Sequence, residues 1–298
     1  MKEYKTPEEL IDYLIVRGVI VYNREEALQK IKIYSYYSII NTYKDVFKDN
    51  MNEYKRNVSF EEIYALFDFD KNLKSIFLKY SLEIELILKS LLAETLASKY
   101  GIKDYLVKEN FDDRINQKIV IETISAIKDE ITKQDGKHTA ITHYMDKYGF
   151  VPPFVLIKIL TQGEISRLYG MLKQPDRQSI SKHFKLSDKV LKQIIVNMTM
   201  VRNICAHNDR LFSFHSKFRI SFKYIQENYK EQSVNIYMMM KCMEYLLPKN
   251  KKIEFIKQID EELEKLGTRL HSIKIDKILR TMGFYMNNKF INEYNNID

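Results

Sequence analysis

One short segment of the sequence places an arginine and a histidine five residues apart, Arg202 and His207. Histidine exchanges a proton near neutral pH, so it can act as a general acid or base. Arginine holds a phosphate with forked donors and neutralises charge that builds on phosphate oxygens. Without a metal this pair suits cleavage of RNA, because RNA supplies its own nucleophile, the 2′-hydroxyl group. The expected product ends in a 2′,3′-cyclic phosphate.

This pair lies at the end of a helix that we predict over residues 187–205. At 100° per residue, Arg202 falls on an apolar stripe, where a guanidinium is unfavourable unless it meets an anion, a carboxylate or a cleft. The stripe consists of Leu191, Ile194, Ile195, Met198 and Cys205. His207 would lie about 140° further round. The two side chains converge only if the helix bends or ends between them, or if a second subunit supplies a matching pair. A structural ion pair beside a helix-end histidine is the alternative interpretation.

The elements that position this pair are predicted to be helices. The 298 residues include only 8 Gly and 5 Pro, too few for the turns of a β-sandwich, barrel or propeller. Thr6-Pro7-Glu8-Glu9 and Ser59-Phe60-Glu61-Glu62 each place a Glu three residues after a cap residue, which is a helix-start signal. The second opens an apolar periodicity to residue 100 that predicts one long or once-bent helix. Further helices are predicted over residues 7–17, 115–134, 138–148, 154–172, 187–205, 233–247, 252–266 and 272–282. We expect an all-α fold.

Residues 212–224 depart from the helical period. Their even positions are mostly apolar and their odd positions are polar and mostly basic, which predicts an extended strand or hairpin with one basic face. Residues 201–252 hold ten Lys or Arg against four Asp or Glu. Such a local basic excess beside aromatic residues is typical of a surface that attracts phosphate backbones, although a solvated basic face has the same composition. The predicted RNA-binding residues are His215, Lys217, Arg219 and Lys223.

Composition and spacing disfavour several other classes of protein. Cys205 and Cys242 are too few for a disulfide framework and lack the spacing of metal ligands. His138 and His143 have no further zinc ligands nearby in the sequence. No segment offers the ~20 apolar residues of a membrane helix or the apolar core of a signal peptide. We therefore expect a soluble cytoplasmic protein with no membrane association, metal or cofactor.

Three further polar side chains have a simpler predicted role. Asp68 and Asp70 would lie about 200° apart on a helix and cannot share a metal, so we expect each to cap a helix or form an ion pair. Cys205 beside His207 raises the possibility of a thiol nucleophile. A cysteine on an apolar stripe is more often a small buried residue.

The segment Arg202–Leu211, which reads RNICAHNDRL, resembles the signature of the bacterial Abi-like abortive-infection proteins. This AbiD/AbiF group belongs to the HEPN ribonuclease superfamily. Three other segments are similar to stretches of that family: Glu8–Gly18, Phe60–Lys74 and Leu82–Lys89. The similarity spans about residues 7–215, and its most specific part is the Arg-Asn-x-x-x-His core.

The resemblance implies a HEPN-like helical bundle with additional helices and a short extended or hairpin insertion near residues 212–224. HEPN domains usually dimerise, which brings two motifs into one composite, metal-independent ribonuclease site. By this resemblance Arg202 and His207 are catalytic. Supporting roles are assigned to Asn203, Asn208, Arg210 and Glu85. Lys89 stands where the family usually has Arg.

The predicted organisation comprises an N-terminal helical extension (1–58), a HEPN-like core that carries the motif (59–247) and a C-terminal helical segment and tail (248–298). The leading hypothesis is a homodimeric phage-defence toxin that cleaves RNA. AbiF-like relatives are often encoded beside a small structured RNA that restrains them, which implies a noncoding RNA partner as well as an RNA target. The second hypothesis is a helical module that clamps structured RNA without cutting it. A third is a regulatory scaffold whose basic segment binds a protein.

Overall fold

The computed structural model describes residues 4–221 and 234–284. Within these ranges the chain is largely helical and has one pair of two-residue strands, so the predicted all-α fold is confirmed. The α-helices are α1 (Pro7–Val16), α2 (Arg24–Tyr34), α3 (Phe60–Tyr100), α4 (Gln117–Gln134), α5 (Thr139–Tyr148), α6 (Pro153–Leu156), α7 (Gln162–Met171), α8 (Gln174–His183), α9 (Asp188–His207), α10 (Ile236–Leu246), α11 (Lys249–Arg269) and α12 (Ile275–Met282). A π-helical turn lies at Tyr37–Asn41, and 3₁₀ turns lie at Lys44–Phe47 and Lys108–Asn110. Strands β1 (His215–Ser216) and β2 (Val234–Asn235) pair antiparallel, with His215 opposite Asn235.

Helix α3 is the central element of the fold. The Ser59 side chain accepts a hydrogen bond from the amide of Glu62, whose carboxylate accepts one from the amide of Ser59, so the predicted start signal forms. The helix then runs for 41 residues without interruption, a length of about 60 Å. Its buried residues are distributed around the helix, because other helices pack against it from several sides.

Helix α11 packs along α3 and shares its core. The ring of Phe255 lies 5.4 Å from that of Phe77 and 4.9 Å from that of Tyr80, measured between centroids. The side-chain amide of Asn72 donates to Glu262 at 2.8 Å. Residues 249–269 therefore pack directly on the helix that begins the predicted core, while the boundary at residue 248 stays a prediction.

Between residues 153 and 183 one helix prediction is wrong in detail and one helix was missed. The predicted helix over 154–172 is divided into α6 and α7, because Thr161 forms a capping box with Glu164 and starts a new helix there. Helix α8 was not predicted, since its sequence QPDRQSISKH is mostly polar and shows no apolar stripe. Pro175 in its first turn supplies the fixed φ that favours a helix start.

Asp260, on α11, is a half-buried carboxylate in unfavourable surroundings. Burial, followed by the charge of Glu264, raises the pKa of Asp260 to about 6, and Lys241 acts in the opposite direction. The folded protein therefore holds this proton more tightly than the unfolded chain, whose Asp has an ordinary value of 3.8. The stability that Asp260 contributes is fully present when the pH is below 3.8, and it is lost as the pH rises through about 6.

Asp260→Asn is expected to raise the free energy of unfolding by about 1 kcal/mol near neutral pH, a value reduced from the full shift because the side chain is partly exposed. The gain should shrink towards zero at about pH 4, where Asp260 is protonated in the folded protein. Urea denaturation at both pH values measures this difference. Glu261→Gln, at the exposed neighbouring position, serves as the control. An equal gain at both pH values would contradict the titration of Asp260.

Candidate functional site

Helix α9 carries both residues of the predicted catalytic pair. It continues through His207 and ends at Asn208, whose left-handed backbone (φ 61°) lets its amide donate to the carbonyl of Ile204. Because the helix neither ends nor is interrupted between Arg202 and His207, the two side chains leave it about 140° apart. The pair therefore diverges within one chain, because α9 has neither the bend nor the end between these residues that convergence would need. The other predicted arrangement, in which a second subunit supplies a matching pair, stays a prediction.

Arg202 is only partly exposed, and its Nε atom is buried without a hydrogen-bond partner. Within residues 4–221 and 234–284, Arg202 forms no ion pair. A buried guanidinium nitrogen that lacks an acceptor is unfavourable. The guanidinium can therefore gain an anionic partner from outside this chain.

His207 and Asn203 lie next to each other on the exposed side of α9. They are four residues apart, the spacing of neighbouring side chains on one helix face, and both are exposed to solvent. An imidazole in this position is accessible for proton exchange with a bound substrate. The carboxamide of Asn203 lies on the same face and can donate to a phosphate or a sugar hydroxyl.

A buried carboxylate, Asp70 on α3, fixes the chain directly after α9. Its oxygens accept hydrogen bonds from the amide of Leu211 at 3.1 Å, the amide of Phe212 at 2.7 Å and the hydroxyl of Tyr43 at 2.7 Å. Burial raises the pKa of Asp70, and the charge of Lys74 and these three donors act against that rise. The loop after the motif is therefore held by a side chain 141 residues earlier in the sequence.

Lys74, one turn further along α3, completes this buried group. Its Nζ lies 3.7 Å from Asp70 and donates to the carbonyl of Asn208 at 3.3 Å. A cation at the C-terminus of a helix is stabilised by the helix dipole. The predicted ion-pair role of Asp70 is confirmed, and so is that of Asp68, which pairs with Lys71 on α3. The chain is thus fastened to α3 at Asn208, where α9 ends, and again at Leu211 and Phe212.

Arg210 ties the same loop to the N-terminal part of the chain. Its Nη1 donates to the carbonyl of Thr42 at 2.9 Å and to Asp45 at 2.7 Å. Its guanidinium also lies over the ring of Phe212, 4.5 Å from the centroid. These contacts fix the loop after α9. A supporting role of Arg210 in catalysis stays a prediction, and Arg210 would exert it by positioning the backbone of this loop.

Glu85 lies away from the end of α9. It pairs with Lys89 at 2.8 Å, while its other carboxylate oxygen is buried and has no hydrogen-bond partner among residues 4–221 and 234–284. Glu85 is eleven residues beyond Lys74, about 16 Å further along α3. The structure therefore brings Arg202, Asn203, His207 and Asn208 to the last turns of one helix but does not bring Glu85 to His207.

The predicted basic strip lies along α9, although little of it is a regular strand. Of the strand or hairpin predicted over 212–224, only His215–Ser216 pairs with another strand among the described residues, and residues 222–224 lie outside them. The alternation persists in part, since the buried Ser216 separates exposed His215 from exposed Lys217, and the exposed Arg219 is followed by the buried Ile220. The amide of Ser221 donates to Gln193 of α9 at 2.8 Å. Lys223 lies outside the described residues.

The other candidate sites do not add a catalytic group. Burial, together with the carboxylate of Asp70, raises the pKa of Cys205 to about 12, so the thiol stays protonated at neutral pH and is a poor nucleophile. In the described ranges no three His, Cys, Asp or Glu side chains are close enough together to hold a metal ion. No helix in these ranges is both long and apolar enough to cross a membrane.

Comparison with known proteins places the chain in a family. A family model described as Abi-like protein matches residues 29–213, from α2 to the loop that Asp70 holds. The match begins after α1 and includes both Arg202 and His207. No significant match is found among curated proteins or among solved structures. The family model covers more than half of the sequence, so the chain belongs to the Abi-like protein family, as the sequence motif predicts.

Proposed function

We propose that this protein is a phage-defence toxin of the HEPN type, a homodimeric endoribonuclease that cleaves RNA without a metal. The observation that carries this proposal is the state of Arg202, a partly buried guanidinium whose Nε has no acceptor in the part of the chain that the structure describes, on the helix that also presents an exposed His207. Membership of the Abi-like family supports a role in abortive infection. The HEPN placement rests on the Arg-Asn-x-x-x-His motif.

Each residue of the pair has a distinct chemical task. The guanidinium of Arg202 binds the non-bridging phosphate oxygens with its forked donors and neutralises the charge that develops on them. His207 is the residue of the pair that transfers protons. The imidazole removes the proton of the 2′-hydroxyl as its oxygen bonds to phosphorus. The imidazolium so formed donates a proton to the 5′-oxygen as the bond from phosphorus to that oxygen breaks, which leaves a 2′,3′-cyclic phosphate and a 5′-hydroxyl end.

In a dimer, a second protomer brings an Arg202 and a His207 together, although the two side chains diverge within one chain. Two-fold symmetry about an axis near α9 would place Arg202 of one protomer opposite His207 of its partner, and the reverse. Several side chains on the face of α9 between these two residues are small and not buried, which lets two helices approach closely there. They are Val196, Thr199, Asn203 and Ala206.

The basic strip gives the same site a means to hold RNA. His215, Lys217 and Arg219 are exposed on a segment that lies along the motif helix, so RNA bound there would reach the end of α9. A small structured RNA that occupies this strip without placing a phosphate at His207 would restrain the enzyme. The same strip favours the second candidate function, an RNA-binding module that does not cut.

Incubation of the purified protein with end-labelled single-stranded RNA in excess EDTA tests this function. We expect cleavage to persist in the chelator, and we expect products that carry a 2′,3′-cyclic phosphate. A substrate with a 2′-deoxynucleotide at the cut position should resist cleavage, because it lacks the nucleophile. His143→Ala, at an exposed histidine of α5, should still cut. Tight binding of intact RNA would favour the module, and loss of cleavage in EDTA would contradict the metal-independent mechanism.

A further inference from the structure

Phe218 breaks the burial pattern of the basic strip. The other apolar residues that alternate with polar ones in this segment are buried, with exposed fractions of 0% for Phe212, 5% for Phe214 and 2% for Ile220. Phe218 has the same place in the alternation but is 58% exposed. An exposed phenylalanine ring loses the favourable free energy that burial of its apolar surface would provide. Its exposure therefore needs an explanation in the local structure.

The backbone of Phe218 is held firmly, so its exposed ring is displayed from a fixed position. The Phe218 carbonyl accepts a hydrogen bond at 3.1 Å from Asn197, a fully buried residue of α9. The Phe218 amide donates to the hydroxyl of the buried Ser216 at 3.1 Å. Three residues later, the amide of Ser221 donates to Gln193, one turn from Asn197 on α9.

Positive charge flanks the exposed ring. Lys217 and Arg219, the residues on either side of Phe218, are both exposed. Single-stranded RNA is bound by such combinations, because an aromatic ring stacks on an unpaired base while neighbouring cations contact the backbone phosphates. A protein partner would fit this arrangement less well, because a protein surface has neither a phosphate backbone nor unpaired bases.

The anchor of Phe218 also sets its distance from the catalytic pair. Asn197 lies ten residues before His207 on α9, which corresponds to about 15 Å along the helix axis. The two positions are also about 80° apart around the helix. The ring and the imidazole are therefore held by one rigid element, so a bound RNA strand could contact both at once.

We propose that Phe218 is a stacking platform for an unpaired base of single-stranded RNA, with Lys217 and Arg219 at the neighbouring phosphates. This inference rests on the proposed function only in that the protein binds RNA. It adds a recognition residue that contacts the base and requires the strand to be unpaired at that position. A fully paired duplex does not offer the face of a base to the ring.

A tryptophan at this position would report stacking directly. The chain contains no Trp, so in Phe218→Trp, built on the full chain with His207→Ala to prevent cutting, all tryptophan emission comes from one site. We expect an unstructured RNA of about 15 nucleotides to quench this emission strongly, and the same RNA paired with its complement to leave it nearly unchanged. Phe154→Trp, at a phenylalanine that is 47% exposed on α6, should show no quenching with either RNA.

The RNA affinities of alanine variants distinguish stacking by Phe218 from the charge of its neighbours. In the His207→Ala chain, Phe218→Ala is expected to weaken binding of the single-stranded RNA by about 5- to 100-fold while the slope of log affinity against log salt is unchanged. Lys217→Ala should instead reduce that slope by about 0.7. Phe154→Ala is the matched control and should bind like the parent.

The outcomes distinguish this inference from the proposed function. If the parent binds RNA but Phe218→Ala binds equally well and the Phe218→Trp emission does not respond, the stacking platform is wrong and the nuclease proposal stands. Equal quenching by the paired duplex would also overturn the requirement for an unpaired base. If the parent neither binds nor cuts any RNA, both proposals fail.

Discussion

His207→Ala is expected to lower the rate of RNA cleavage by about 10²- to 10⁴-fold, the usual contribution of a positioned general acid or base. The affinity for RNA should change little, since the exposed imidazole is one of several groups that face the substrate. Rates from single-turnover assays, together with binding of the uncut substrate, separate the two effects. Weaker binding with an unchanged cleavage rate would show that His207 only positions RNA.

Arg202→Lys extends this prediction to the other member of the pair. Lysine keeps the positive charge but loses the planar fork that holds two phosphate oxygens at once. We therefore expect cleavage to fall well below that of the parent protein even though the net charge is unchanged. A variant that cuts normally would indicate that Arg202 contributes only charge.

Mixing two inactive chains tests whether the site is shared between protomers. Arg202→Ala and His207→Ala should each be inactive alone, because every site then lacks one group. If each site takes Arg202 from one protomer and His207 from its partner, a mixed dimer retains one intact site. Random exchange of subunits should then restore about a quarter of the parent activity.

The control for this experiment is the doubly substituted chain. Arg202→Ala with His207→Ala, mixed with either single variant, leaves no intact site and should remain inactive. Differently tagged chains that copurify would show that mixed dimers have formed. Mixed dimers without activity would contradict a site shared in this way, even if each residue proves essential.

Asp70→Ala is expected to destabilise the protein by about 3–5 kcal/mol, the largest effect on stability that we predict. The substitution leaves the ammonium of Lys74, which is 4% exposed, without its carboxylate. It also removes the acceptor of the Leu211 and Phe212 amides and of the Tyr43 hydroxyl. The midpoint of thermal unfolding should fall by about 10 °C.

A matched control lies two residues earlier. Asp68 pairs with Lys71 and Arg269, but its side chain is 27% exposed. Asp68→Ala should therefore cost no more than about 1 kcal/mol. Urea denaturation of both variants measures the difference, and equal costs would contradict a special role for the buried group.

The coupling between Asp70 and Lys74 can be measured separately. Combining Asp70→Asn with Lys74→Met removes both charges and keeps an acceptor for the two amides. We expect this double variant to be more stable than Asp70→Asn alone, because no buried charge is left without a partner. A double variant that is less stable would mean that the lysine acts mainly through the Asn208 carbonyl.

Much of the helical framework could be predicted because its signals are local. Cap residues and apolar periodicity act within a few residues of each other, so the start of α3 at Phe60 and its continuous course to Tyr100 follow from the sequence. The predictions were wrong where local signals conflict or are weak. At Thr161 a capping box interrupts an apolar run, and α8 forms from a polar segment.

The sequence alone determined the chemistry available to this protein, since an arginine, a histidine and their spacing are properties of one short segment. Only the tertiary structure decided how that segment is held. Lys74 reaches Asn208 across 134 residues, and Asp70 reaches Leu211 across 141. The exposure of Phe218 likewise depends on a bond to Asn197 in a different element. Such contacts join residues that are distant along the chain, so no local pattern of residue types contains them.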